Sequence, residues 1–160
     1  MTFTKTAQGP GDTYFIGESL AAFCVPNTNI LLDGDLAAGK TVFAKGLGAG
    51  LGVEGNIKSP TYTLMCSYTG ETMPFFHFDA YNLASMDDFY ALGFDEFLYA
   101  GGVAVIEWAA VLGDGFPDDY IHVQITKGPG EDERTLTFSA HGQAALSILK
   151  EWRNHENSGL

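Results

Sequence analysis

Residues Gly34-Asp35-Leu36-Ala37-Ala38-Gly39-Lys40-Thr41 fill every fixed position of the pattern G-x-x-x-x-G-K-T. No other stretch constrains the fold so strongly, because the pattern works only between a buried strand and the start of a helix. Both neighbours are legible. Ile30-Leu31-Leu32 is a short apolar run of the buried-strand kind, and it leads straight into Gly34. Beyond the loop, Phe43, Leu47 and Leu51 share one helical face. The glycines let successive backbone N–H groups curl around a phosphate, and the helix N-terminus adds favourable partial charge. In such a loop Lys40 reaches the β- and γ-phosphates of a nucleotide, and the Thr41 hydroxyl ligates Mg²⁺.

The rest of the chain supplies elements to surround this unit. Asp12-Thr13 can cap a first helix, with Phe15, Ile16, Leu20 and Phe23 at helical spacing until Pro26 stops it. The helix after the loop carries Gly46, Gly48 and Gly50, each costing up to about 1 kcal/mol relative to Ala. Its stability must therefore come from packing or from a ligand. Residues 61–68 and 73–78 are β-rich and joined by Thr69-Gly70-Glu71, which reads as a hairpin. Ser85 caps a short helix with Asp87 and Asp88 in its first turn.

Val103-Ala104-Val105-Ile106 is continuously apolar, the pattern of a strand covered on both faces. Ile121, Val123 and Ile125, then Leu136 and Phe138, alternate with polar residues and flank a Gly-Pro-Gly loop, a second hairpin. Ala145, Ile148, Leu149 and Trp152 describe a closing amphipathic helix. Buried and alternating strands mixed with helices predict an α/β fold. It is a three-layer, P-loop nucleoside triphosphatase-like domain with a mixed β-sheet, and residues 1–160 form that single domain.

A chain of 160 residues is enough for one compact domain and too short for two ordinary ones. No apolar run approaches the 18 or so residues of a membrane helix, and residues 1–13 lack the hydrophobic stretch of a signal peptide. Cys24 and Cys66 show no paired spacing, so neither a disulfide scaffold nor a cysteine zinc site is expected. A reducing cytoplasm fits best. The 8 basic and 20 acidic residues give a net charge of −12, which repels nucleic acid and argues against strong direct RNA or DNA binding. Residues 59–126 hold no Lys or Arg and ten Asp or Glu. That stretch suits solubility, a docking face for a basic partner, or carboxylates gathered around a metal.

A phosphate loop needs an acidic residue at the end of a neighbouring strand to hold Mg²⁺, and two qualify. Asp79 ends Phe75-Phe76-His77-Phe78, and Glu107 ends the run that finishes at Ile106. Glu107 follows the more deeply apolar strand, where an unpartnered carboxylate is costly. His77 reads as an ordinary strand residue. Only Arg134 and Arg153 supply guanidinium groups, whereas phosphoryl-transfer enzymes commonly use Arg to stabilise developing charge. Either the isolated chain hydrolyses slowly, or a partner contributes what is missing.

Several motifs in this order resemble one family, the small bacterial ATPase of tRNA threonylcarbamoyladenosine biosynthesis called TsaE. They are the loop at residues 34–41, Lys58-Ser59-Pro60-Thr61-Tyr62-Thr63-Leu64, Phe76-His77-Phe78-Asp79-Ala80-Tyr81, Leu92-Gly93-Phe94-Asp95-Glu96 and Ile106-Glu107-Trp108. The resemblance implies an ATP- and Mg²⁺-dependent ATPase that assists TsaD and TsaB, the proteins placing threonylcarbamoyl on adenosine 37 of tRNAs. It implies Thr41 and Glu107 as Mg²⁺ ligands, and Asp79 as an acidic catalytic or metal-linked residue. It makes residues 59–63, Thr61 among them, a nucleotide-sensing loop. The resemblance also implies that Trp108 sits beside the site and that Thr13 and Arg134 approach the nucleotide. Ala37, Asn82 and Ala109-Ala110 depart from the residues common in the family. Two other readings of the loop are a small-molecule kinase, opposed by the missing lid arginines, and a nucleotide-binding interaction module with little hydrolysis.

Overall fold

A computed structural model describes residues 1–35, 37–60 and 63–157. In chain order the elements are β1 (Thr2–Ala7), α1 (Pro10–Ala21), β2 (Thr28–Gly34), α2 (Lys40–Gly50), β3 (Met65–Tyr68) and β4 (Phe75–Asp79). They continue with α3 (Met86–Ala91), β5 (Val103–Glu107), β6 (Tyr120–Lys127), β7 (Arg134–His141) and α4 (Gln143–Asn157). Two short 3-10 helices, Phe94–Tyr99 and Ala109–Leu112, flank β5.

The strands form one mixed sheet in the order β1-β7-β6-β2-β5-β4-β3. The four central strands are mutually parallel, through the pairs β2–β6, β2–β5 and β4–β5. Each edge is finished by antiparallel pairing, β3 on β4 and β6–β7–β1 on the other side. The continuous apolar runs become strands buried along their length, β4 and β5 at every position. The alternating runs become β6 and β7, whose burial alternates in the same way.

Period-2 alternation splits the core into two layers. Ile30, Leu32, Phe75, Val103 and Val105 face Ile16 and Leu20 of α1, Phe43 and Leu47 of α2, and Leu149 and Trp152 of α4. Leu31, Phe76, Phe78, Ala104 and Ile106 face Met86 and Phe89 of α3 together with Leu98 and Leu112. The result is the expected three-layer P-loop-like architecture. No helix among the described residues is long and apolar enough to cross a membrane.

Three local expectations are corrected. Strand β1 lies in a stretch read only as a polar N-terminus. Its Phe3 ring stacks on Phe138 at 5.6 Å, and Lys5 bonds Glu156 at 2.9 Å. The signal for it was alternation, with β-branched Thr2, Thr4 and Thr6 on the opposite face from Phe3. Helix α1 starts earlier than Asp12, with Gly9 at the cap and Pro10 in the first turn, where its missing N–H costs nothing. It ends at Ala21, before Pro26. Asp12 Oδ2 instead accepts the backbone N–H of Gln8 at 2.8 Å, the reciprocal half of a capping arrangement. The first hairpin strand begins at Met65 rather than at residue 61: Leu64 takes φ +67° and donates its N–H to the Pro60 carbonyl at 2.7 Å.

The three glycines of α2 are explained by packing. A Cβ on Gly46 would lie 2.0 Å from the Tyr14 carbonyl oxygen, and one on Gly50 would lie 2.5 Å from that of Glu18. Helices α1 and α2 are in backbone-to-backbone contact along this line, and Gly17 faces Phe43 O in the same way at 2.4 Å.

Candidate functional site

β2 delivers the chain to Gly34 at the carboxyl end of the parallel strands, and α2 begins at Lys40. Between them the backbone takes unusual angles: Ala37 has φ +61° and Gly39 has φ +111°. At Gly39 a Cβ would find room, 3.7 Å from Thr13 Cγ2, so the glycine serves the dihedral rather than the space. Ala37 pays for the same left-handed region, at about 1–2 kcal/mol for a residue with a Cβ. Ala37→Gly relieves that strain and adds about 0.4–1 kcal/mol of unfolded-chain entropy. The net expectation is a modest stabilisation, about 0.5–1 kcal/mol, read as a small rise in thermal midpoint; a fall would contradict the strained conformation.

The Lys40 ammonium is held inward. Its Nζ donates to the carbonyls of Gly34 at 2.7 Å and Asp35 at 2.8 Å. It also lies over the Trp108 ring, 4.0 Å from the centroid. Burial lowers the Lys40 pKa, while the carboxylates of Glu107, Asp33, Asp79 and Asp35 oppose that shift. The cation therefore sits among four negative groups. Glu107 ends β5 directly opposite Asp79 of β4 in the parallel register. Alternation puts both on the face that carries α2. Thr41 Oγ1 donates to the Glu107 carboxylate, 3.0 Å from Oε1 and 3.1 Å from Oε2. Asp79 Oδ1 accepts the Tyr81 N–H at 3.0 Å. Both carboxylates are buried.

These side chains converge on a cavity of about 320 Å³, lined by residues 37–42 with Ser59, Asp79, Glu107 and Trp108. A smaller hollow of about 120 Å³ continues it between Pro10 and Thr13 of α1 and Asp132 and Arg134. A separate cavity of about 400 Å³ opens at the other end of the strands, near Asn29, Leu98 and Ile148, and contains none of these groups. Ligands of open α/β sheets bind at the carboxyl ends, so the first two spaces form the candidate site.

Lys40, Thr41, Asp79, Glu107 and Trp108 are thus brought together from three separate segments. Thr13 is buried beside the loop. Arg134 binds the loop itself: its Nε donates to the Ala38 carbonyl at 3.1 Å and its Nη1 to those of Glu131 and Glu133. Leu36 and Thr61 lie outside the described residues.

Two residues escaped the sequence reading. His77 is more than a strand residue, since its Nε2 lies 2.5 Å from Glu107 Oε2 with the ring fully buried. The available signal was period 2, which places His77 on the same face as Asp79. Asp33, just before the loop, accepts the Ala110 N–H at 2.9 Å and pairs with His122 at 2.9 Å. It anchors the turn in which Trp108 takes φ +60°. Ala109 and Ala110 belong to this turn, and Ala109 is buried.

A family model described as "Threonylcarbamoyl adenosine biosynthesis protein TsaE" matches residues 7–136. The chain belongs to the TsaE family. Its similarity to the TsaE protein of Bacillus subtilis is 36% identity over 148 residues, covering 92% of each chain. For the TsaE protein of Streptomyces coelicolor it is 33% over 144 residues, 84% of this chain and 97% of the other. The crystal structure of Bacillus subtilis YdiB superposes with a TM-score of 0.85 at 31% identity, covering 98% of this chain and 97% of that one. Membership of the TsaE family places the protein in the biosynthesis of threonylcarbamoyladenosine in tRNA.

Proposed function

We propose that the protein binds ATP with Mg²⁺ at residues 34–41 and hydrolyses it slowly, in the cytoplasm, in support of TsaD and TsaB, which modify adenosine 37. The observation that carries this reading is the convergence of Lys40, Thr41, Asp79 and Glu107 on one cavity beside a loop with the phosphate-binding pattern. The donors fit Mg²⁺: a hydroxyl and one or two carboxylates, all hard oxygens. Among the described residues no group of three or more His, Cys, Asp or Glu could hold a metal by itself. Mg²⁺ held by so few protein groups would keep waters and take phosphate oxygens as further ligands.

Bound Mg²⁺ would neutralise charge on the β- and γ-phosphates. The chain does the rest. Loop N–H groups and the N-terminus of α2 hold the phosphates. Lys40 leaves the Gly34 and Asp35 carbonyls for phosphate oxygens. Thr41 and Glu107 hold the ion, and Asp79 orients the attacking water and accepts its proton. Both arginines are engaged elsewhere: Arg134 on loop carbonyls, and Arg153 over the Phe3 ring at 5.4 Å. Among the described residues no arginine is thus free for the transferring phosphoryl, which supports slow turnover alone and stimulation by a partner. The same lack disfavours the kinase reading.

Glu107→Gln is expected to weaken Mg²⁺-dependent nucleotide binding by about tenfold or more, and Asp79→Asn mainly to slow hydrolysis. Calorimetry across a Mg²⁺ titration separates them, and equal affinities for wild type and Glu107→Gln would refute the division. Partner choice follows from charge. Neutralising even six phosphates needs six well-placed cations, and this chain has eight in all, with none between residues 59 and 126. Negligible affinity for bare tRNA is expected, with ATP-dependent, salt-sensitive binding to TsaD and TsaB. Gel shifts and sedimentation at physiological salt test both. Submicromolar tRNA binding, or no protein complex in any nucleotide state, would overturn the reading.

A further inference from the structure

We propose that His77 is a positioning residue, whose bond to Glu107 holds that carboxylate against Thr41 and so sets how strongly Mg²⁺ enhances nucleotide binding. The inference rests on the ATP–Mg²⁺ reading above.

A glutamate has three side-chain torsions, and Glu107 is buried, 3% exposed, at the end of a strand. Two groups restrain it. Thr41 donates from the loop at residues 34–41 to both carboxylate oxygens, and His77 Nε2, from the neighbouring strand β4, lies 2.5 Å from Oε2. With the carboxylate as acceptor, the tautomer that makes this bond carries its proton on Nε2. The Thr41 hydroxyl is the group expected to change partners when a metal arrives, which leaves His77 as the restraint that persists. The imidazole is itself well placed to serve as a fixed donor: fully buried, with two torsions, and stacked on Phe75 at 6.1 Å and 27°.

Packing alone does not account for a histidine here. Nδ1 is buried without a hydrogen-bond partner among the described residues. An orphaned buried nitrogen costs stability, and an apolar ring of similar size would fill the space without it. The gain that offsets this cost is the bond to Glu107. His77 does not line the cavity, so it acts on the ion through Glu107 rather than by touching nucleotide. Outer partners of this kind typically change metal affinity by about 10–100-fold.

The test compares ADP affinity by calorimetry in EDTA and in Mg²⁺ for wild type, His77→Phe and His77→Gln, with Mn²⁺ binding followed by electron paramagnetic resonance. His77→Phe keeps the ring volume and removes the donor. His77→Gln restores an N–H at a similar reach. We expect His77→Phe to retain Mg²⁺-free affinity while losing about tenfold of the Mg²⁺ enhancement and of Mn²⁺ affinity. His77→Gln should recover most of the enhancement. In a Glu107→Gln background, His77→Phe should change the enhancement no further. A merely structural role gives the reverse order, with Gln the worse variant. Should His77→Phe fail to fold, His77→Asn, too short to reach Glu107, replaces it. Wild-type enhancement in His77→Phe, or equal losses in Phe and Gln, overturns the inference alone. Absence of Mg²⁺ enhancement in the wild type overturns the ATP–Mg²⁺ reading, and this inference with it.

Discussion

Lys40→Ala is expected to abolish useful ATP affinity, a loss on the order of 100-fold or more, while the protein stays folded. Lys40 is the cation at the mouth of α2, and it sits among four carboxylates that would otherwise repel a triphosphate. Hydrogen bonds to charged groups are worth about 1.5–3 kcal/mol each, so losing two phosphate bonds reaches two decades or more in affinity. Without nucleotide, the substitution removes the bonds to the Gly34 and Asp35 carbonyls and the contact with the Trp108 ring, and Ala is a good helix former at that position. Burial of the ammonium already opposes its charged form, which offsets part of that loss and leaves a stability change on the order of 2–3 kcal/mol. Titration calorimetry with ATP–Mg²⁺ decides the matter, and undiminished binding removes the phosphate loop from the account of function.

Gly46→Ala is expected to destabilise the protein by about 3 kcal/mol or more, lowering the thermal midpoint by several degrees. Helix propensity alone predicts the opposite sign, a gain of about 0.8–1 kcal/mol. The difference is the Tyr14 carbonyl oxygen, 2.0 Å from where the new Cβ would stand. That atom belongs to the backbone of α1, so relief requires the two helices to move apart. The movement would disturb Thr13, which lies against the phosphate loop from the same helix. Urea denaturation measures the change, and unaltered or increased stability would show that α1 and α2 do not pack through this contact.

Much of the site was legible because its chemistry is local. The strand, loop and helix around residues 34–41 follow from a short apolar run, glycines where the backbone turns, and apolar spacing of 3.6 beyond them. Asp79 and Glu107 stood out because each closes a strand whose burial could be read from composition. The residues by themselves left open which of the two meets Thr41, and only the family resemblance pointed to Glu107. Thr41 and Glu107 are 66 residues apart, and their contact depends on β5 lying directly beside β2. His77 was passed over for the same reason. One histidine in an apolar strand is unremarkable until the neighbouring strand is known to end in its partner. Strand β1 was missed because Thr and Lys mask its polar alternation, and only β7 gives it a mate.

The sequence by itself determined the fold class, the buried and half-buried strands, the strand–loop–helix unit around residues 34–41 and the two strand-end acids, since periodicity and turn chemistry are properties of neighbouring residues. Tertiary structure set Glu107 against both Thr41 and His77, braced the loop with Arg134, and let Gly46 and Gly50 of α2 admit α1. Those outcomes depend on strand order and on the distance between two backbones. Both arise only when segments far apart in the chain bury their apolar faces against each other.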